Sequence, residues 1–303
     1  MIKRVAQLCV PALALLALAG CGSSSKTTSS SSSAPSASTS AQASEDAAIA
    51  ATVPAKIKSK GTLNIASEAQ YAPNEFVAPD GHTVIGMDAD LITAIAKTMG
   101  LKVNIINSNF ETIIPGLAAG RYDLGVSSIT DKKEREKVVD FVDYYTAGLS
   151  FYAKSGSNTG VTKLADLCGK TVGVEKGTVE LEESEKQDKA CKKEGKPGVS
   201  VLSFPGQNPV NLAIASGRAE LGFADSPVVE YQIKQSNGAF KLVGQSFELA
   251  PYGFAIPKTS GMTQPILQAL KKLIADGTYT QILTKWGIES GAITEPKING
   301  AIG

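Results

Sequence analysis

Histidine is nearly absent from this 303-residue chain. The single example, His82, sits in Pro79-Asp80-Gly81-His82, whose Asp-Gly pair predicts a hairpin turn. A metal centre built from clustered imidazoles is excluded. Cysteine is scarce as well, with Cys9, Cys21, Cys168 and Cys191 the only examples. No excess of one charge exists either, since 30 Lys and Arg stand against 29 Asp and Glu. Without a basic stripe, nothing steers nucleic acid to the surface. Long apolar runs are also missing: residues 5–20 fall short of the roughly 20 apolar residues a membrane-spanning helix needs.

What stands at the N-terminus is Met1-Ile2-Lys3-Arg4, an apolar run, and small residues closing on Leu18-Ala19-Gly20-Cys21. This reads as a secretory signal over residues 1–20. Leu-Ala-Gly-Cys resembles the lipobox of bacterial lipoproteins, which implies a diacylglyceryl group on Cys21 and a place on the outer face of the bacterial cell membrane. Residues 21–55 open Ser-rich and predict a flexible tether. Losing Lys3 and Arg4 leaves 28 basic groups against 29 acidic ones. Cys9 departs with the signal and Cys21 carries lipid, so Cys168 and Cys191 remain, and in an exported chain such a pair predicts a disulfide.

Beyond the tether the pattern is α/β. Strands are expected at 61–66, 102–106, 170–174, 200–204, 219–224 and 240–243, and helices at 88–99, 110–119, 209–216, 227–235, 264–275 and 279–286. Residues 117–126 read LAAGRYDLGV and residues 214–223 read IASGRAELGF, each a helix end, a glycine, an arginine, an acid and an apolar strand. Such an echo predicts two similar halves. Extended runs at 149–153 and 252–256 join them as a two-stranded hinge that permits closure. The expected first lobe is 56–149 with 250–298, and the second is 150–249.

The stretch 125–145, GVSSITDKKEREKVVDFVDYY, carries the chemistry. A short apolar strand runs out into the hydroxyls of Ser127, Ser128 and Thr130, and Arg135 follows with a planar fork suited to a carboxylate. Composition alone does not separate Arg135 from Lys132, Lys133, Glu134, Glu136 and Lys137. The second copy of the echo runs out at Asp225 instead. Gly177-Thr178 opens a helix whose free N–H groups favour an anion. Halves that face each other would offer anion donors on one side and a carboxylate on the other, which suits an α-amino acid.

With these residues in view, the span 60–287 resembles the extracellular solute-binding proteins of family 3, the polar amino-acid binders of bacterial ABC importers. The resemblance rests on Gly61-Thr62-Leu63, residues 67–76 and 86–100, Ile114-Pro115-Gly116-Leu117, Lys137-Val138-Val139-Asp140-Phe141, Gly169-Lys170-Thr171-Val172-Gly173, Asp225-Ser226-Pro227 and Ala275-Asp276-Gly277-Thr278-Tyr279. It implies a type II periplasmic binding protein, a Venus flytrap of two Rossmann-like lobes. It selects Arg135, six residues before Phe141, as the grip on the α-carboxylate, with Thr130 as hydroxyl donor and Ser128 acting through its backbone. By the same resemblance Asp225 holds the ammonium, Tyr71 and Phe110 sandwich the side chain, Glu68 meets its polar end, and Gln207 lines the cleft. Thr178 and Val179 offer backbone N–H groups, although Val179 removes a hydroxyl common in the family and Asn74 replaces an aromatic.

The implied partners are an amino-acid ligand, an ABC permease with its ATPase, and the membrane through Cys21. No cofactor, metal or second copy of the chain is expected, and no chemistry occurs on the protein. Glu68 leans towards a cationic side chain and also suits glutamine-type ligands. A dehydratase on the same fold, with Glu68 moving protons, and a ligand-sensing lipoprotein are the rival readings.

Overall fold

The computed structural model describes residues 43–302, so the signal segment 1–20 and Cys21 lie outside the described residues. The chain enters on two short helices, α1 (Ala47–Thr52) and α2 (Ala55–Lys60). The Asp46 carboxylate caps α1, accepting from the N–H groups of Ala48 and Ile49 at 3.0 and 3.2 Å. Ala43, Ile49, Val53 and Ile57 are buried in the core of the first lobe. The expected tether to residue 55 therefore ends sooner, because the composition has already turned from Ser to Ala, Ile and Val, and Ile49 with Val53 makes an apolar pair one helical turn apart.

The first lobe continues with β1 (Thr62–Ser67), β2 (Gln70–Tyr71), β3 (Glu75–Val77), β4 (Val84–Ile85), α3 (Met87–Thr98), β5 (Lys102–Asn107), α4 (Ile113–Ala118), β6 (Leu124–Gly125) and α5 (Lys133–Glu136). The long strand β7 (Val139–Lys154) then crosses to the second lobe, built from β8 (Thr171–Glu175), α6 (Val179–Lys193), β9 (Ser200–Phe204), α7 (Gln207–Ala215), β10 (Leu221–Asp225) and α8 (Ser226–Gln235). Strand β11 (Phe240–Pro257) returns, and α9 (Thr263–Ala275) and α10 (Thr278–Trp286) complete the first lobe. The runs expected separately at 240–243 and 252–256 are thus parts of one strand. His82 is exposed between β3 and β4, as its turn predicts.

Helix α3 shows how pattern becomes packing. Leu91, Ile92 and Ile95 are fully buried against Ile266, Leu270 and Leu273 of α9 and the face of the sheet. Gly86 precedes the helix at φ +133°, and a Cβ there would lie 2.1 Å from the Asn74 carbonyl oxygen, so only glycine fits.

Eight strands form one sheet in the order β5-β1-β6-β11-β7-β10-β8-β9. The order is palindromic: each half has three parallel strands that end on a crossover strand running antiparallel to them. The echoed segments occupy the same place in each half, carrying α4 into β6 and α7 into β10. Backbone bonding repeats as well. The Asp123 N–H donates to the Asn64 carbonyl at 2.8 Å while its carboxylate accepts from the Asn64 N–H at 2.7 Å. Glu220 does the same with Thr171 at 2.9 and 3.1 Å.

β7 and β11 pair with each other from Val139 opposite Pro257 to Lys154 opposite Phe240, and the register shifts near Val243, Phe247 and Tyr252. Those irregularities fall mid-ladder, between the lobes, where a bend costs few ladder bonds. The tail beyond α10 then lies along β7: the Asp143 N–H donates to the Lys297 carbonyl at 2.9 Å, and the Phe141 N–H to the Asn299 side-chain oxygen at 2.7 Å.

Cys168 and Cys191 form a disulfide across a Cα separation of 5.6 Å, with Cys191 buried in the second-lobe core. Replacing both by Ala removes a covalent closure of 23 residues' separation, worth about 3 kcal/mol in the chain-entropy account. Urea unfolding of the double variant should show that loss, and an unchanged midpoint would refute it.

Candidate ligand-binding site

A narrow cavity lies between the lobes. It is walled where strands end: Glu68 follows β1, Ser127 and Ser128 follow β6, Glu175 closes β8 and Asp225 closes β10. Glu68, Tyr71, Phe110, Ser128, Thr130, Arg135, Thr178, Val179 and Asp225 all line it. Gln207 does not. It opens α7, is 2 % exposed, and its amide donates to the Tyr152 hydroxyl at 2.7 Å.

Arg135 spans the cleft. Its guanidinium donates to the Thr130 carbonyl at 2.9 Å and to the Gly177 carbonyl of the opposite lobe at 3.0 Å, and it lies 5.6 Å from the centroid of the Phe110 ring. A guanidinium has five N–H donors, so donors remain for an anion. Thr178 caps α6, its hydroxyl accepting from the Leu181 N–H at 3.3 Å and donating to the Glu175 carbonyl at 2.8 Å. With that hydroxyl spent, only first-turn N–H groups are left for a carboxylate. Opposite, the Tyr71 hydroxyl donates to an Asp225 carboxylate oxygen at 2.9 Å and accepts from the Asp225 N–H at 3.1 Å, a second bond between lobes.

The hydroxyls after β6 turn inward. Ser127 and Ser128 both donate to Glu75 at 3.1 Å, and the Ser128 N–H donates to Asp88 at 2.7 Å. Ser128 holds φ at +46°, a left-handed backbone that these inward bonds stabilise. Asn74, where the family pattern has an aromatic, belongs to the same network, its amide donating to the Ser128 hydroxyl at 2.9 Å.

The family model for bacterial extracellular solute-binding proteins, family 3, matches residues 63–289, most of the chain and all of this cavity. The chain belongs to that family. The arginine-binding protein ArgT of Corynebacterium glutamicum is 34% identical over 252 residues, covering 83% of this chain and 82% of its own. The L-cystine-binding protein TcyA of Bacillus subtilis is 27% identical over 276 residues, 90% and 93% of the two chains. Among solved structures, an ancestral arginine-binding protein bound to arginine aligns with a TM-score of 0.68 at 35% identity, over 75% of this chain and 98% of that one.

In this family-3 protein the cavity is strongly acidic. Glu75, Glu175 and Glu180 line it as well, three carboxyls that motif matching missed. Glu75 lies in β3 and Glu180 in the first turn of α6, and neither element's pattern marks a cavity side chain. Burial raises the pKa of each, and neighbouring acids add to the rise. Glu68 is pushed up to about 7, first by burial, and Asp225 to about 6, also by burial.

Behind the Thr130 loop a second acidic pair is buried. Burial pushes Asp131 up to about 6 and Asp143 up to about 8; Asp131 raises Asp143 further, Glu136 adds repulsion on both, and Lys133 weakly counters the rise of Asp131. Neither oxygen of Asp131 has a hydrogen-bond donor. Acids with raised folded values bind more protons folded than unfolded. Stability is therefore greatest below the ordinary carboxylate value near 4 and falls as pH climbs through about 8 for Asp143. Asp143→Asn should raise the thermal midpoint by a few degrees at pH 8 and leave it unchanged at pH 4. An equal shift at both would refute the pair.

Proposed function

We propose that this protein is an extracytoplasmic receptor that captures an α-amino acid with a cationic side chain and delivers it to an ABC importer. The observation that carries the reading is the make-up of the cavity: Arg135 and the first turn of α6 at one end for an α-carboxylate, Asp225 for the α-ammonium, and further carboxyls beyond them. Tyr71 and Phe110 supply apolar surface for the stem. A zwitterion with a neutral side chain leaves the excess acids unbalanced, so a basic side chain fits this cavity better than glutamine or cystine. Several of the relatives are arginine-binding proteins, which supports the same choice.

The lipobox-like Leu18-Ala19-Gly20-Cys21 supports an anchor on the outer face of the cell membrane, where a permease and its ATPase would supply transport and energy. A proton-transfer role on the same fold finds one point in its favour, Glu68 held near neutrality. Recovery of a bound amino acid chemically unchanged after long incubation would remove that reading.

Thermal shift against the standard amino acids tests the proposal. A cationic amino acid at a hundredfold excess over its Kd should stabilise the mature chain by about 2.7 kcal/mol. Arg135→Ala removes a charge-assisted grip worth about 1.5–3 kcal/mol, so its affinity should fall at least tenfold by calorimetry. No shift with any amino acid would overturn the function, and full affinity in the variant would overturn the clamp.

A further inference from the structure

Behind the turn at Ser127 and Ser128, two acids meet without a cation. Glu75 of β3 and Asp88 in the first turn of α3 are each 1 % exposed. The Ser128 hydroxyl lies 3.1 Å from a Glu75 carboxyl oxygen and 3.5 Å from one of Asp88, so both carboxyls crowd a single oxygen atom. That hydroxyl has one proton to give and donates it to the nearer Glu75, while Asp88 accepts from the Ser128 N–H at 2.7 Å. The titratable groups that bear on the pair are Glu68, after β1, and the Tyr144 hydroxyl of β7, and neither is a cation. Asp90, on the same helix as Asp88, is turned instead to Lys285 and Trp286. Two carboxyls so close in a dry site cannot both be ionised. Burial holds Glu75 well above the ordinary carboxylate range, and repulsion by Asp88 adds to the rise. Burial lifts Asp88 only to about 6, because the Tyr144 hydroxyl and the Ser128 N–H favour its charged form.

We propose that Glu75 and Asp88 share one proton and act as positioning residues for the ligand-carboxylate clamp, Glu75 as the acid and Asp88 as the charged acceptor. The role as positioning residues rests on the amino-acid reading of the cavity. The pair completes a path from the interlobe ladder to the clamp. Tyr144 lies in β7 and stacks on Phe254 of β11 with ring centroids 4.2 Å apart. Asp88 fixes the Ser128 N–H, and Glu75 takes the hydroxyls of Ser127 and Ser128. Ser127 accepts in turn from the Glu68 N–H at 2.8 Å. Two residues beyond Ser128, the Thr130 carbonyl accepts from Arg135 at 2.9 Å. The left-handed φ of +46° at Ser128 is unfavourable for a serine and persists because these bonds over-determine it. Removing the shared proton sets two buried charges against each other and frees the turn, and Arg135 then loses the carbonyl that aims it. The clamp serves the α-carboxylate, which every α-amino acid carries, so a loosened turn weakens all such ligands alike.

Calorimetry with L-arginine and L-glutamine on the mature chain, Asp88→Ala and Asp88→Asn tests the positioning. Asp88→Ala should weaken both ligands by one common factor, about tenfold. Asp88→Asn keeps an oxygen for the Ser128 N–H and brings its own N–H for Glu75, so it should recover affinity to within about threefold of the parent. Infrared difference spectra of the ligand-free parent against Glu75→Gln, taken at neutral pH, test the proton. A carboxylic-acid C=O band should be present in the parent and lost in the variant, a readout that stands even where Asp88→Ala fails to fold. Unchanged affinity in Asp88→Ala, a loss confined to arginine, or an Asn variant as weak as the Ala variant would overturn the positioning role. A carboxylate band at Glu75 would overturn the shared proton. A parent chain that shows the acid band and binds no amino acid would overturn the amino-acid reading and leave the shared proton intact.

Discussion

The antiparallel ladder between β7 and β11 is the constraint on which the rest of the molecule depends. Two strands, each 16 or 18 residues long, hydrogen-bond to each other and supply the inner edge of both half-sheets. Because each half-sheet ends on this ladder with its parallel strands running towards the other half, the ends of β1, β6, β8 and β10 converge on one space. Glu68, Glu175 and Asp225 sit at such an end or just after it, whereas Glu75, Arg135 and Glu180 come from β3, α5 and α6. The register shifts along β11 then put the most easily bent part of the ladder beside the site, so the same element aligns the lobes and allows them to part.

Convergence of strand ends has an electrostatic cost. Glu68, Glu75, Glu175, Glu180 and Asp225 share a small space with Arg135 alone as cation. Direct bonds offset part of that cost: Tyr71 to Asp225, Arg135 to Gly177, and an ion pair of Lys132 with Glu182 all link one lobe to the other. The ion pair is half exposed and so contributes little. The buried bonds hold the cleft shut, and the unpaired acids oppose them. A ligand of the right charge changes the sign of the second contribution without altering the first, which is how differential affinity for a closed state arises.

Much of this was legible in residues. The echo at 117–126 and 214–223 revealed two halves, and the spacing from Arg135 to Phe141 separated one arginine from its charged neighbours. Both depend on local pattern, which sequence preserves. Gln207 is not among the lining residues, because a helix start says which end of a helix faces the cleft and not which way one side chain turns; its amide donates to Tyr152 and Asn211. Glu75 and Glu180 went unread for the related reason that a buried acid in a short strand or helix start looks like surface until tertiary packing covers it. The end of the tether was blurred because Ser gives way to Ala gradually, and only the docking of Ile49 and Val53 marks where folding begins.

Glu175 is different, since the information for it was present in the sequence and lacked a frame. Once Ile65 and Val172 are matched through their strand partners, the two halves can be compared position by position at the cleft. Ser127 and Ser128 in the first half stand where Ala224 and Asp225 stand in the second, so there the copies have diverged into hydroxyls and a carboxylate. At Glu68 and Glu175 they have remained alike. Divergence at one pair of strand ends gives the cavity its polarity, fit for a zwitterion that must lie one way round. Identity at the other pair concentrates charge of one sign from both sides, fit for a group that carries the opposite charge. The charges of the ligand proposed above, an α-amino acid with a basic side chain, follow that layout from end to end.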